Sequence, residues 1–151
     1  IVHHPIDGKE AEMFVTEEDY RVVIGETALK VISQVSEENR TSAEAEAREE
    51  IAGYLRPKYD CEAVFNAEGD DRNRLIVMYT CDIALYHMSA SMPQKMGSEV
   101  REERYKRAIK WLEGVQAGGI IPNLPLVVDS EGTPTGDTFA YSSQPKLRHN
   151  W

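Results

Sequence analysis

Four histidines, two cysteines and one interior-looking aspartate are the residues whose types could support chemistry in this chain. His3 and His4 stand side by side and could hold a metal ion if a third ligand came near. A catalytic metal needs three or more converging ligands on a rigid frame. A terminus without helical period does not provide that frame, so His3 and His4 read as part of a solvated arm. His87 is the only histidine in the helical stretch, and His149 lies near the end of the chain. Asp82 lies five residues before His87, outside the i, i+3 and i, i+4 spacings at which helix side chains meet. His87 is therefore expected at the boundary of the core, satisfied by a single hydrogen bond.

Asp82 sits between Cys81 and Ile83 in a segment that reads as buried. A buried carboxylate needs a partner, and an arginine such as Arg104 or Arg107 is the expected one. The enzymatic reading open to these residues is a metal-assisted hydrolase using His3, His4 or His87 with Asp82. It lacks a second acid or a nucleophile beside Asp82, so no catalytic, cofactor-binding or metal-binding residue is expected. Cys61 and Cys81 have no CxxC spacing and give no metal framework. They read as reduced thiols in a cytosolic setting, with a pairing between them left open. Gly118-Gly119 follows a helix, the reverse of a phosphate cradle, and neither GxSxG nor HExxH occurs.

The formal net charge of −9 argues against gripping nucleic acid by its phosphates. Arg72 and Arg74, with the arginines and lysines from Arg101 to Lys110, are interleaved with Glu99, Glu102, Glu103 and Glu113. That pattern reads as a solvated helix face. A hydrophobic fraction of 41% with 28% charged residues places the chain among soluble globular proteins. No apolar run approaches the roughly 20 residues of a membrane span, and no leader resembling a signal peptide opens the chain.

The elements that must position these residues are helical. Residues 1–12 show no period. Thr16 caps a first helix, with Asp19 placed to complete a capping box and Gly25 to end it. Tyr20, Val23 and Ile24 form its apolar stripe. A short second helix spans Thr27 to Gln34, with Leu29 and Ile32 facing the core, and Val35 to Arg40 reads as a polar connector. A third runs from Thr41 or Ser42 to Leu55, with Ala43, Ala47, Ile51, Tyr54 and Leu55 inward and Glu44, Glu46, Arg48, Glu49 and Glu50 outward. Lys58 to Gly69 reads as a packed loop. A fourth helix, from Asp70 or Asp71 to Ser91, is apolar around much of its circumference and so is central. Leu75, Ile76, Tyr79, Ile83, Tyr86 and His87 mark one of its faces. Pro93 closes it. A fifth runs from Ser98 to Gly118, with Tyr105, Ala108, Ile109, Leu112 and Val115 inward. The fold class is all-α, a small bundle of about five helices. The helical domain covers residues 13–119 and an extended arm covers 120–151. In the arm, Leu124 to Val128 and Thr138 to Tyr141 are strand-like and could form a hairpin around Asp129 to Asp137.

The order of segments resembles a known family. Its elements here are Met13-Phe14-Val15-Thr16-Glu17-Glu18-Asp19-Tyr20, Ile24-Gly25, Glu49 to Leu55 with Tyr59-Asp60 behind, Asp82-Ile83-Ala84 with Tyr86, and Arg104-Tyr105 with Ala108, Trp111 and Leu112. Together, over roughly Met13 to Pro125, they resemble the small Mu-like phage and prophage proteins of the "gene product thirty-six" type, taken to act in head-to-tail joining. The resemblance implies a structural virion protein of the neck, made in the bacterial host cytoplasm, with no enzyme activity and no cofactor. It implies a homo-oligomeric, dodecameric ring between the portal protein and a tail-side neck or tail terminator protein. Acidic charge facing the lumen would let DNA pass without specific binding. The arm would reach a neighbouring subunit or ring through Ile120, Ile121, Leu124, Leu126, Phe139, Tyr141, Leu147 and Trp151, apolar anchors of the kind that carry interface energy. The alternative fate of those residues is to fold back onto their own bundle. The alternative function is a cytosolic, phage-encoded binding module or assembly chaperone with a peptide groove along the fourth helix.

Overall fold

The computed structural model describes residues 13–90, 92 and 98–134. The first helix, α1 (Glu17–Val23), begins with the expected capping box. The Thr16 N–H donates to Asp19 Oδ2 at 2.8 Å, and the Asp19 N–H donates back to Thr16 Oγ1 at 3.2 Å. Gly25, with φ +125°, turns the chain into α2 (Glu26–Gln34) through a backbone conformation that L side chains rarely adopt.

Helix α3 (Glu37–Leu55) starts earlier than the sequence pattern suggests. Ser36 accepts the Asn39 N–H at 3.1 Å, and Glu37 and Glu38 sit where the helix dipole favours anions. The stretch expected as a polar connector is thus a cap followed by a first turn. The connection after Pro57 also holds more structure than expected. Asp60 caps a short α4 (Cys61–Asn66), and a 3-10 turn follows at Gly69–Asp71. Helix α5 (Arg74–Ala90) begins later than Asp70, because Asn73 Oδ1 accepts the N–H groups of Leu75 and Ile76 at 3.0 and 3.1 Å. With α6 (Ser98–Ala117), the described residues hold six α-helices where about five were expected. Pro93, the expected stop after α5, lies outside the described residues.

Helix α5 is the centre of the bundle and packs against α1, α2, α3 and α6. Ten of its residues from Ile76 to Met88 are buried, including Thr80, Cys81 and Asp82. The Thr80 hydroxyl donates to the Ile76 carbonyl at 2.6 Å, which removes the penalty of an unpaired buried polar group. Leu75 is exposed, since its position on the first turn points it away from the core. Helix α3 offers Ala43, Ala47, Ile51 and Leu55 to the interior, and α6 offers Ala108, Leu112 and Val115. The small alanines let α3 and α6 approach the bulky face of α5 closely. Phe14 closes one end of the core, edge-on to Phe65 with ring centroids 5.0 Å apart.

The chain reverses after α6 at Gly118, φ +91°. The N–H groups of Gly119 and Ile120 both donate to the Gly114 carbonyl, at 3.0 and 3.1 Å. Ile120 lies so close over Gly114 that a Cβ there would fall 2.6 Å from Ile120 Cδ1. Residues 124–128 then run beside residues 58–60. The Asp60 N–H donates to the Pro125 carbonyl at 2.8 Å, and the Val127 N–H donates to the Lys58 carbonyl at 3.0 Å. The strand expected at Leu124 to Val128 is therefore an isolated antiparallel bridge, Tyr59 to Leu126, and no strand occurs among the described residues. Asp129 closes a turn tighter than the expected loop by accepting the N–H groups of Glu131 and Thr133, which brings Val128 opposite Pro134. The expected second strand, Thr138 to Tyr141, lies outside the described residues. Among the described residues, no helix is long and apolar enough to cross a membrane.

Candidate functional site

Four clusters of buried or half-buried charged side chains stand out among the described residues, each formed where two or more elements meet. Asp82 is the most enclosed. Its Oδ1 accepts from Arg104 Nε at 2.7 Å, and its Oδ2 lies 3.5 Å from Arg107 Nη2 without a hydrogen bond. Burial pushes the Asp82 carboxyl above the usual aspartate range, against the pull of the Arg104 hydrogen bond and of both arginine charges. The structure thus places Asp82 against both arginines anticipated from the sequence, and away from His87.

His87 belongs to a second cluster. Its Nε2 lies 2.9 Å from Glu50 Oε1, and the Tyr105 hydroxyl donates to Glu50 Oε2 at 2.5 Å. Tyr86 stacks on Tyr105 with centroids 4.2 Å apart. Burial and the Glu50 carboxylate raise the Tyr105 hydroxyl above the usual phenol range, so it remains a donor at neutral pH. Glu50 thereby joins α3, α5 and α6.

The third cluster centres on Glu44, which was expected on the outer face of α3 and is instead buried. Glu44 Oε2 accepts from the Tyr20 hydroxyl at 2.7 Å and from Arg40 Nε at 3.1 Å. Arg40 also donates to Glu17 at 3.1 Å, across the α1–α3 junction. Sequence reasoning missed both glutamates because it assigned charge outward by residue type. The signal was positional: Glu44, Ala47 and Ile51 stand at i, i+3 and i+7, on one helical face.

In the fourth cluster, Arg72 clamps the start of the domain. It donates to Asp19 Oδ2 at 2.6 Å, Asp19 Oδ1 at 3.1 Å and the Phe14 carbonyl at 2.8 Å. This is the bidentate arginine–carboxylate geometry that fixes orientation as well as charge.

All four clusters join carboxylates to donors on neighbouring elements, an arrangement suited to holding helix register. Among the described residues, no three His, Cys, Asp or Glu side chains converge as a metal site. His3, His4 and His149 lie outside them. Cys81 is buried and Cys61 half-buried, and both are free thiols whose pKa burial raises.

The candidate interface residues separate. Leu124 is buried, and Ile120 and Leu126 pack against the chain's own core. Ile121 is exposed. Phe139, Tyr141, Leu147 and Trp151 lie outside the described residues. The first part of the arm is therefore joined to the bundle by packing and by the hydrogen bonds to residues 58–60.

No curated protein and no solved structure matches the chain. A family described as "Bacteriophage Mu, Gp36" matches residues 14–140, which takes in the six helices of the described residues and part of the segment beyond them, and the chain belongs to that family of phage proteins.

Proposed function

We propose that this chain is a structural protein of a tailed-phage particle, a connector at the head–tail junction. It assembles as a ring, contacts the portal on one side and a tail-side neck or tail terminator protein on the other, and leaves a lumen for DNA. The observation that carries this reading is the match to a phage family over residues 14–140, running past α6, the last helix of the described residues. The match continues beyond α6 as far as residue 140. Two physical features support it. The interior carboxylates Glu50 and Asp82 pair with His87 and Arg104 on neighbouring helices, and the Tyr20 hydroxyl bonds Glu44 across α1 and α3, contacts that stiffen the bundle. The net charge of −9 suits a surface that DNA must pass without adhering.

The test is protein composition and imaging of purified particles. Detection of the chain at the neck, in a ring coaxial with the portal, and tailless heads when its gene is deleted, are the expected results. Absence from finished particles would overturn the connector reading in favour of a cytosolic binding module or assembly chaperone.

A further inference from the structure

We propose that the backbone at Leu126 and Val128 is an open β edge that takes up Thr138 to Tyr141 of a second copy of this chain as an added strand; this rests on the ring reading above and names its contact. The segment after α6 has one filled edge and one unfilled edge. The bonds of the filled edge are made by alternate residues. The Pro125 carbonyl accepts the Asp60 N–H at 2.8 Å, the Val127 N–H donates to the Lys58 carbonyl at 3.0 Å, and the Asp129 N–H donates to the Thr133 carbonyl at 2.8 Å. The bridges of Tyr59 to Leu126 and of Val128 to Pro134 are both antiparallel. These bonds flank the bridges, so Leu126 and Val128 are the residues that turn their own N–H and C=O groups the opposite way. Tyr59 and Pro134 therefore share one edge of the segment. On the other edge, the backbone groups of Leu126 and Val128 make no hydrogen bond among the described residues.

A row of unpaired backbone groups is a template for strand addition. The segment is accessible there, since Val128 is 53% exposed and Leu126 half-buried. Proline and charged side chains are the usual devices that block such an edge. Neither stands at these two positions, and Pro125 faces the filled side.

The two bridges also select the occupant. A hairpin continued past Pro134 would set residue 136 opposite Leu126, but Tyr59 already holds that place, so the pairing ends at Pro134. Partners on the two edges of a strand stand roughly 10 Å apart. A connection between them must pass over the side chains of the strand, and crossovers of that kind take about a dozen residues. Residues 135–137 are all that separate Pro134 from Thr138. Thr138-Phe139-Ala140-Tyr141 has the threonine and aromatic residues that favour strands, yet it starts too soon to reach the open edge of its own subunit. Each copy thus carries one open edge and one strand-forming stretch that cannot fill it. Successive copies satisfy one another head to tail. The contact is heterologous, and a closed ring leaves no edge unfilled.

The experiment is sedimentation velocity on the full chain over a range of concentrations, with Val128→Pro as the edge variant and Ala140→Pro as the strand variant. Val128→Pro removes an N–H that the described residues do not use, and circular dichroism verifies that both variants fold. Val128→Thr keeps the N–H and is the control. The wild type and Val128→Thr are expected to associate alike, and each proline variant to associate about tenfold or more weakly. A mixture of the two proline variants is expected to form a one-to-one dimer and nothing larger. The intact strand of Val128→Pro enters the intact edge of Ala140→Pro, and the remaining edge and strand are both blocked. In the wild type, the Leu126 and Val128 amides are expected to exchange quickly in the dilute monomer and slowly in the assembly. A wild type that stays monomeric, association indifferent to either proline, or a mixture without the dimer overturns the proposal. Protection of both amides in the monomer overturns it too, because the edge is then filled from within the subunit. The ring reading falls separately, on absence of the protein from purified particles.

Discussion

Arg104 Nε donates to Asp82 Oδ1 at 2.7 Å, and the same guanidinium donates through Nη2 to the Val23 carbonyl at 3.0 Å. One side chain of α6 thus ties down the central helix and the end of α1. The Asp82 side chain is fully enclosed, whereas that of Arg104 is 22% exposed. Removing the arginine leaves a buried carboxylate whose remaining cation, Arg107, stands 3.5 Å away. Arg104→Ala should therefore cost about 3–5 kcal/mol, the range for breaking a buried pair from one side. Asp82→Asn should cost less, since a neutral amide needs no counter-charge and Arg104 reaches solvent. Urea denaturation of both single variants and the double variant checks this. Equal losses for the two singles would show that desolvation of Asp82 is not the governing term.

Asp19 sets an acid limit on stability. Burial raises its carboxyl pKa, but hydrogen bonds from Arg72 and Thr16 and the Arg72 charge outweigh burial and hold it below the ordinary value of 3.8. A carboxyl whose folded pKa is depressed contributes stability that is fully present above the unfolded pKa. That contribution is lost as pH falls through the folded value. Wild-type stability should thus fall below about pH 4. Asp19→Asn should be less stable at neutral pH by about 2 kcal/mol, the scale of a lost charged hydrogen bond and capping box. The variant should also lose part of the acid dependence, which thermal unfolding from pH 7 to pH 3 would measure. Parallel pH profiles for variant and wild type would contradict this.

The sequence pattern and the fold agree where a local rule coincides with the global packing. The Thr16 capping box, the central position of α5 and the Asp82–arginine pair are each set by a few residues close in sequence or by an unavoidable burial penalty. Disagreements arise where long-range contacts override residue type. Glu44 and Glu50 face inward because Tyr20, Arg40, His87 and Tyr105 converge on them. Segment 124–128 reads as one arm of a hairpin, yet its backbone partner is Lys58–Asp60, more than sixty residues earlier. Nothing in the local pattern of either segment names the other.

Glu44 tests the value of an inward carboxylate. Tyr20→Phe removes the hydroxyl that donates to Glu44 Oε2 at 2.7 Å and leaves Arg40 as its donor. The aromatic ring stays in the core, so the loss should be confined to the polar group, about 1–3 kcal/mol. Glu44→Leu is the informative companion, because Tyr20 and Arg40 then lose their acceptor together. Guanidinium unfolding of the two variants should show Glu44→Leu as the more destabilised. The reverse order would mean that the carboxylate is tolerated in the core and does not organise it.

The thiols report local opening. Cys81 is fully buried in α5, and Cys61 is half-buried at the start of α4 with its Sγ 3.9 Å from the Ala52 carbonyl. Burial raises the pKa of both, which lowers the thiolate fraction that reacts. In the native protein, a thiol reagent at about pH 8, near the ordinary thiol pKa, should label Cys61 slowly and Cys81 only at the rate of global unfolding. Rapid labelling of Cys81 would show that α5 opens independently of the bundle.

The segment after α6 provides the last test, because two residues three positions apart should behave oppositely. Leu124 is 8% exposed and joins the core, whereas Ile121 projects into solvent. Leu124→Ala should cost about 2–4 kcal/mol, as for other buried leucines. Ile121→Ser should stay within about 0.5 kcal/mol. The Asp60 and Val127 amides, which bond across the Tyr59–Leu126 bridge, should exchange with solvent slowly in the wild type and faster in Leu124→Ala. If both amides exchange quickly in the wild type, the segment is held by neither packing nor hydrogen bonds. The whole of residues 120–134 would then be available to reach another chain. Slow exchange with Ile121 exposed leaves that side chain on a fixed platform, the geometry required for docking without an ordering penalty.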